Sequence, residues 1–185
     1  MGEPEDKSMG VTLPATGAAT GTAPFRDLFD REFGYVCRAL RRLGVRQGDL
    51  EDVAQELFVA VHRALPEYEA GRALRPWLFS FAFRFAANYR RLARNAGYAS
   101  DGALRTLAAT DHPDADARDM VLRALESLDF DRRAVIVMHD LEGFSAPEIA
   151  EQLVVPLNTV YSRLRLARGE FRDAVHALQS EGGPS

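Results

Sequence analysis

The sequence predicts an all-α protein, two small helical domains joined by a flexible linker. Three observations carry this reading. Apolar residues recur at intervals of three and four through most of the chain, the period of a buried helix face. Helix start and stop signals bracket those stretches: Asp49 and Ser145 at starts, Pro66 and Pro156 at ends. Residues 96–117 hold Gly, Ser, Asp and Pro without any period and divide the chain into two periodic halves. At 185 residues with 46% apolar content, there is room for two small cores.

Residues 1–24, rich in Gly, Ala, Thr and Pro, read as a disordered tail. A first domain spans 25–95. Its first helix is marked by Phe25, Leu28, Phe29, Phe33, Val36 and Leu40, and Gly44 and Gly48 break the pattern. Asp49 is expected to cap a second helix, Leu50 to Leu65, with Val53, Leu57, Val61 and Ala64 facing inward. The segment 66–76 is a loop. The third helix, Trp77 to about Arg94, is less plain, because Phe79, Phe81, Phe83 and Phe85 alternate with the period of a strand. Leu78, Ala82, Phe85 and Tyr89 fit a helix as well, the flanking alanines and arginines favour one, and the segment is long for a strand.

After the 96–117 linker, a second domain spans 118–180, and 181–185 form a short tail. This domain is predicted to hold a helix near 118–127, another from Asp129 to Leu141, a turn at Glu142-Gly143-Phe144, and then a helix pair. Ser145 with Glu148 forms a capping box, each side chain satisfying a free backbone N–H of the other. Ile149, Ala150 and Leu153 face a core, and Pro156 ends that helix. Asn158 and Thr159 are placed to cap the last helix, where Val160, Leu164, Ala167 and Phe171 repeat at helical spacing. Its other face carries Tyr161, Ser162, Arg165, Arg168 and Arg172. A short capped helix, a tight turn and a longer arginine-bearing helix is the pattern of a helix-turn-helix, whose second helix can lie in a DNA major groove.

The net charge of −4 counts against a chain that grips nucleic acid by bulk charge alone, but the charge is unevenly placed. Arg75, Arg84, Arg90, Arg91 and Arg94 crowd one segment; Asp49, Glu51, Asp52 and Glu56 crowd another. A basic stripe and an acidic patch in one small protein suggest two different partners. Cys37 is the single cysteine, so no internal disulfide or cysteine-cluster metal site is expected. The histidines 62, 112, 139 and 176 are scattered, with no metal spacing, nucleophile motif or phosphate loop, so neither an enzyme nor a cofactor is expected. No run approaches the roughly eighteen apolar residues of a membrane span and no signal-peptide pattern opens the chain, which favours a cytoplasmic protein without membrane insertion.

Three segments in order resemble the extracytoplasmic-function group of the sigma-70 family of bacterial RNA polymerase sigma factors. DLEDVAQELFVAVHRAL (49–65) is similar to the family's core-polymerase-binding helix, LRPWLFSFAFRFAANYRRLAR (74–94) to its −10 element helix, and residues 127–168 to its −35 element module. The resemblance implies a non-catalytic protein that binds core RNA polymerase, recognises promoter −35 and −10 elements and promotes DNA melting. It assigns the core-polymerase contact to Asp52, Gln55, Glu56 and Val59. It assigns the −10 contact to Tyr68, Arg72, Arg75, Trp77, Arg84, Asn88, Tyr89, Arg91 and Arg94, with arginines on phosphates of the non-template strand and Trp77 and Tyr89 stacking on unpaired bases. The duplex −35 contact falls to Asn158, Thr159, Tyr161, Ser162, Arg163, Arg165 and Arg168. It also allows an anti-sigma partner. Val154 and Asn158 stand where the family often has glycine. Arg84 and Asn88 stand where many members have asparagine and aspartate. The alternative is a dimeric helix-turn-helix regulator with an N-terminal dimerisation or sensor domain, reading palindromic operators without being a polymerase subunit.

Overall fold

The computed structural model describes residues 23–69, 71–95 and 113–181, and among them every regular element is helical. The first three helices are α1 (Ala23–Arg42), α2 (Leu50–Ala64) and α3 (Leu74–Asn95). The next four are α4 (Pro113–Glu126), α5 (Phe130–Ile136), α6 (Ala146–Leu153) and α7 (Leu157–Glu181). Most of the expected linker and most of both expected tails lie outside the described residues, but Ala23 and Pro24 already belong to α1, Pro113 to Ala117 to α4 and Glu181 to α7.

The N-terminal three helices pack together because each carries one apolar stripe. α1 contributes Leu28, Val36, Ala39 and Leu40, α2 contributes Leu50, Ala54, Leu57, Phe58 and Val61, and all are buried. Phe58 anchors the pair, its ring 4.8 Å from Phe29 and 6.4 Å from Phe25. α1 ends in a glycine-dependent turn: the Val45 N–H bonds the Leu40 carbonyl and the Gly44 N–H bonds the Arg41 carbonyl, both at 3.0 Å. That pairing is the Schellman stop, and Gly44 supplies its left-handed residue at φ +98°.

The C-terminal four helices form a second layer around Leu125, Ala134, Val135, Ile136, Ile149, Val160, Leu164 and Ala167. Asp129 caps α5, accepting from the Asp131 N–H at 3.0 Å. The segment expected to continue that helix to Leu141 instead widens into a π turn over Val137–Leu141, with the Glu142 N–H reaching back to the Val137 carbonyl. The extra residue per turn brings Asp140 opposite Arg168 on α7, at 2.6 Å.

Two capping expectations are corrected. Asp49 makes no cap bond to α2; its carboxylate accepts from the Tyr89 hydroxyl at 2.5 Å and from Arg46 at 2.9 Å. A charge-assisted partner forty positions away in sequence has displaced the local one. Asn158 and Thr159 do not precede α7 but lie inside its first turn, since the helix starts at Leu157. The Pro156 carbonyl accepts from the N–H groups of Thr159 and Val160.

The two layers, whose relative pose the sequence left open, share one continuous core. α3 is the element between them. Phe79 meets Phe144 edge-on at 6.2 Å, and Phe83 stacks on Phe130 at 5.0 Å. Beside these rings Arg133, 1% exposed, donates from Nε to the Arg42 carbonyl, and the Arg42 side chain pairs with Glu142. A Cβ at Gly44 would stand 3.0 Å from the Arg90 Nη1 and 3.1 Å from the Arg133 Nη1. Gly44→Ala therefore meets both an unfavourable φ and a buried guanidinium that cannot swing aside. We expect it to lower stability by about 1–2 kcal/mol, measured as a fall in the thermal midpoint.

Candidate nucleic-acid interface

Three surfaces carry the residues singled out in the sequence. The first is the outer face of α2. Its inner face is consumed by the core, so Asp52, Gln55 and Glu56 are left exposed, and Val59 is 53% exposed beside them. Carboxylates and an amide around a small apolar spot, one helical turn apart, make a surface suited to a basic helix of another protein.

The second surface runs along α3 and the loop before it. Helical spacing places Trp77, Phe81, Arg84, Asn88 and Arg91 on one stripe. At its N-terminal end Trp77 sits between Tyr68, ring centroids 4.7 Å apart, and Phe81 at 4.9 Å. The Tyr68 hydroxyl donates to the Arg72 carbonyl, folding the loop over the indole. Arg84 is exposed, its guanidinium 4.5 Å from the centroid of the Phe81 ring. Asn88 accepts from Arg91 at 2.7 Å, and Arg91 and Arg94 are exposed. Aromatic faces followed by guanidinium groups on one stripe suit unpaired bases and their phosphates.

Three residues assigned to this surface are engaged elsewhere. Arg75 bonds Glu32 at 3.1 Å and lies over Tyr35. Glu32 is buried, and Arg75 shares with Arg31, also at 3.1 Å, the neutralisation of its carboxylate. Tyr89 is bound to Asp49 and Arg46 and is half-buried. The Tyr89 hydroxyl, first among the causes, holds the Asp49 carboxyl below its ordinary value. Arg72 pairs with Glu69 at 2.9 Å and, across the layers, with Glu151 of α6 at 3.0 Å.

The third surface is the outer face of α6 and α7. The Ser145–Glu148 capping box forms as expected, fixing the start of α6. α6 ends at Val154, which adopts φ 54°, ψ 50° and is 89% exposed. Asn158, Tyr161, Ser162 and Arg165 are exposed on α7, and Thr159 is half-buried. Tyr161, Arg165, Arg168 and Arg172 line a shallow groove of about 450 Å³ with His139. Arg163 and Arg168 have partners within the layer: Arg163 bonds Asp131 at 2.5 Å, and Arg168 makes a two-pronged contact with Asp140 at 2.6 and 2.8 Å. Sequence reasoning missed the acids Asp131 and Asp140 as their anchors. The signal was a carboxylate on α5 and on the π turn, but only the tertiary packing of these segments against α7 pairs them.

A helical module with an acidic docking ridge and an aromatic–arginine stripe, packed on a helix-turn-helix module, defines a DNA-binding transcription protein. Comparison with known proteins makes the class specific. The sigma-70 region 2 family model matches residues 28–96, and the sigma-70 region 4 model matches 118–170. The chain is 32% identical over 148 residues to the ECF RNA polymerase sigma-E factor of Escherichia coli K12, covering 72% of this chain and 78% of that protein. It is also 32% identical to the ECF RNA polymerase sigma factor SigE of Mycolicibacterium smegmatis, covering 99% of this chain and 74% of that protein. Among solved structures, CnrH in complex with the cytosolic domain of CnrY is similar at TM-score 0.61 and 28% identity, covering 86% of this chain and 90% of that one. The sigma factor RpoE of Bartonella quintana, in complex with the anti-sigma factor NepR, shares the fold at TM-score 0.63 and 21% identity, covering 82% and 96%. The chain belongs to the extracytoplasmic-function group of the sigma-70 family of RNA polymerase sigma factors. Because its N-terminal half is a sigma region 2, the alternative of a sensor domain on an operator-binding dimer is not favoured.

Two expectations follow from this geometry. A valine in the left-handed region costs roughly 1–2 kcal/mol, partly offset by the chain entropy that glycine would lose. Val154→Gly should therefore raise stability by about 1 kcal/mol, read from the denaturant midpoint. Arg168, first among the causes, holds the Asp140 carboxyl below its ordinary value. A depressed carboxylate contributes stability that is full above the unfolded-state value and lost as pH falls through the folded one. Asp140→Asn should flatten the acid limb of a stability-against-pH profile below about pH 4 and leave the neutral region's slope unchanged.

Proposed function

We propose that the acidic ridge of α2 is the docking surface for core RNA polymerase, and that the α3 stripe and the α7 face read the −10 and −35 elements. The observation that carries this reading is the division of α2: its apolar stripe is spent on the core, which leaves Asp52, Gln55, Glu56 and the exposed Val59 on one free face. Such a ridge meets a basic helix by charge complementarity around a small apolar contact.

On the −10 side, Trp77 and Tyr68 form the aromatic end to which an extruded base would be brought, repaying an unstacking cost of a few kcal/mol. Arg84 and Arg91 would hold the adjacent phosphates, with Arg94 one turn further on. Arg75 acts through Glu32, setting the angle at which α3 leaves the loop. On the −35 side, Asn158, Tyr161, Ser162 and Arg165 face outward together and are positioned for base edges. Arg163 and Arg168, held by their carboxylates, are oriented for the sugar–phosphate chain. Thr159 supports the start of the helix. The protein supplies no catalytic group of its own; it places the polymerase and traps opened DNA, and works in the bacterial cytoplasm. Among the described residues, no helix is long and apolar enough to cross a membrane.

Charge reversal at the ridge tests the scheme. The double variant Asp52→Arg, Glu56→Arg should lose core-polymerase association and promoter-directed run-off transcription. Its thermal unfolding should be unchanged, since both side chains are exposed. Normal transcription by that variant would remove the docking assignment.

A further inference from the structure

The far end of α3 is held differently from the rest of the helix. Ala86 is its last buried residue, and Leu92 beyond it is 53% exposed. Asn88, Arg91 and Arg94, the last members of the −10 stripe, all lie past Ala86. Apolar packing therefore does not fix the end of the helix that carries them. Toward region 4, Arg90 lies 5.1 Å over the Phe130 ring. Toward α2 the tie is polar, and Tyr89 makes it.

The Tyr89 hydroxyl donates to the Asp49 carboxylate at 2.5 Å. Arg46 closes the group: its Nε donates to the Tyr89 oxygen at 2.7 Å and to Asp49 at 2.9 Å, and its Nη2 stands 2.8 Å from the same carboxylate. Side chains from the α1–α2 turn, the start of α2 and α3 thus share one hydrogen-bonded cycle. Asp49 gives up a local role for it. It stands at the N-terminus of α2, where a carboxylate ordinarily caps a free N–H, and it makes no such bond. Burial holds the Tyr89 hydroxyl above its ordinary value, and that hydroxyl holds the Asp49 carboxyl below its own. Donor and acceptor therefore keep these forms across neutral pH.

The cycle joins two surfaces. Asp52, where the docking ridge begins, follows Asp49 by three positions; Asn88 adjoins Tyr89, and Arg91 lies two positions on. Successive helix positions differ by about 100°, so the direction in which Tyr89 is held sets the directions of Asn88 and Arg91. A turn of about 20° around the helix axis would move a side chain at a radius of about 6 Å by roughly 2 Å. That is enough to break a hydrogen bond to a phosphate.

We propose that Tyr89 is a positioning residue for promoter opening: held by Asp49 and Arg46, it locks the rotation of the −10 stripe relative to the ridge that docks on polymerase. Its contribution is made through the hydroxyl, and its ring does not stack on a base. The inference rests on the docking and −10 readings above, and the experiment tells its failure from theirs.

The full chain with core polymerase supplies three readouts: core affinity, the rate of open-complex formation on a duplex promoter, and the salt dependence of promoter affinity. Tyr89→Phe keeps the ring and removes the hydroxyl; Asp49→Ala removes the acceptor. Both should bind core polymerase as wild type does. Each should form open complexes about tenfold more slowly, the equivalent of one hydrogen bond to a charged group. In each, the slope of log affinity against log salt should fall by about one, because Arg91 no longer meets its phosphate. The double variant should be no slower than either single one, and Asp49→Asn, which still accepts from the hydroxyl, should stay near wild type. Normal opening by Tyr89→Phe with loss only in Tyr89→Ala would identify a stacking ring and overturn the proposal. Additive losses in the double variant, an unchanged salt slope, or a parallel fall in core affinity, the mark of general damage to the fold, would overturn it as well. Failure of wild type itself to bind core polymerase or open a promoter would instead overturn the reading on which the inference rests.

Discussion

α3 is packed on two sides, and this constraint organises the molecule. One side rests on α1 and α2, the other on the region 4 layer through Phe79 and Phe83. A helix with a single buried face needs one apolar stripe, but a helix between two layers needs two. That is why Phe79, Phe81, Phe83 and Phe85 alternate with the period of a strand in a segment that is helical. Successive phenylalanines are about 200° apart around the axis, so Phe79 and Phe83 meet the region 4 layer while Phe81 turns to the other side, under Trp77 and Arg84. What remains for solvent is one narrow stripe, and Trp77, Arg84, Asn88 and Arg91, the proposed −10 surface, fall on it. The position of that surface is thus a consequence of where the core is.

The same economy governs charge. A net charge of −4 sits badly with a DNA-binding protein until the arginines are sorted by partner. Arg42, Arg75, Arg132, Arg163 and Arg168 each have a carboxylate partner within the fold. Arg84, Arg91, Arg94 and Arg165 are exposed on the two assigned faces. Each DNA-reading module thus presents only a few outward cations. Modest modules gain their affinity from being linked on a common platform rather than from bulk charge, which fits a subunit that must leave one promoter to find another.

Legibility in the sequence followed the range of the interaction. The Ser145–Glu148 box, the Pro156 stop and the apolar repeat of α7 are set by neighbours within four residues, and the structure has each as read. The turn after α6 was legible only as a valine where the family often has glycine, and Val154 takes the left-handed form there. Asp49 was misread as a cap because the local rule cannot know of Tyr89. Asn158 and Thr159 were read as caps but lie two and three residues beyond Pro156, whose carbonyl accepts the first bonds of the helix. Arg133 was illegible altogether. In the run DRRAVIV one arginine pairs outward with Glu170 and its neighbour is buried, and only the free carbonyl at the end of α1 decides which is which.

That carbonyl also explains where the two layers meet. A helix end hidden without a partner is costly, and the Arg133 guanidinium is the group that relieves it. Yet the guanidinium itself is desolvated, with one nitrogen unpartnered and a second arginine beside it. In water both the carbonyl and the guanidinium are satisfied without each other. The polar centre of the interface therefore adds little net stability, and the aromatic pairs Phe79–Phe144 and Phe83–Phe130 around it hold the layers together. An interface with that composition has specificity from its polar centre and only modest net stability from its apolar rim.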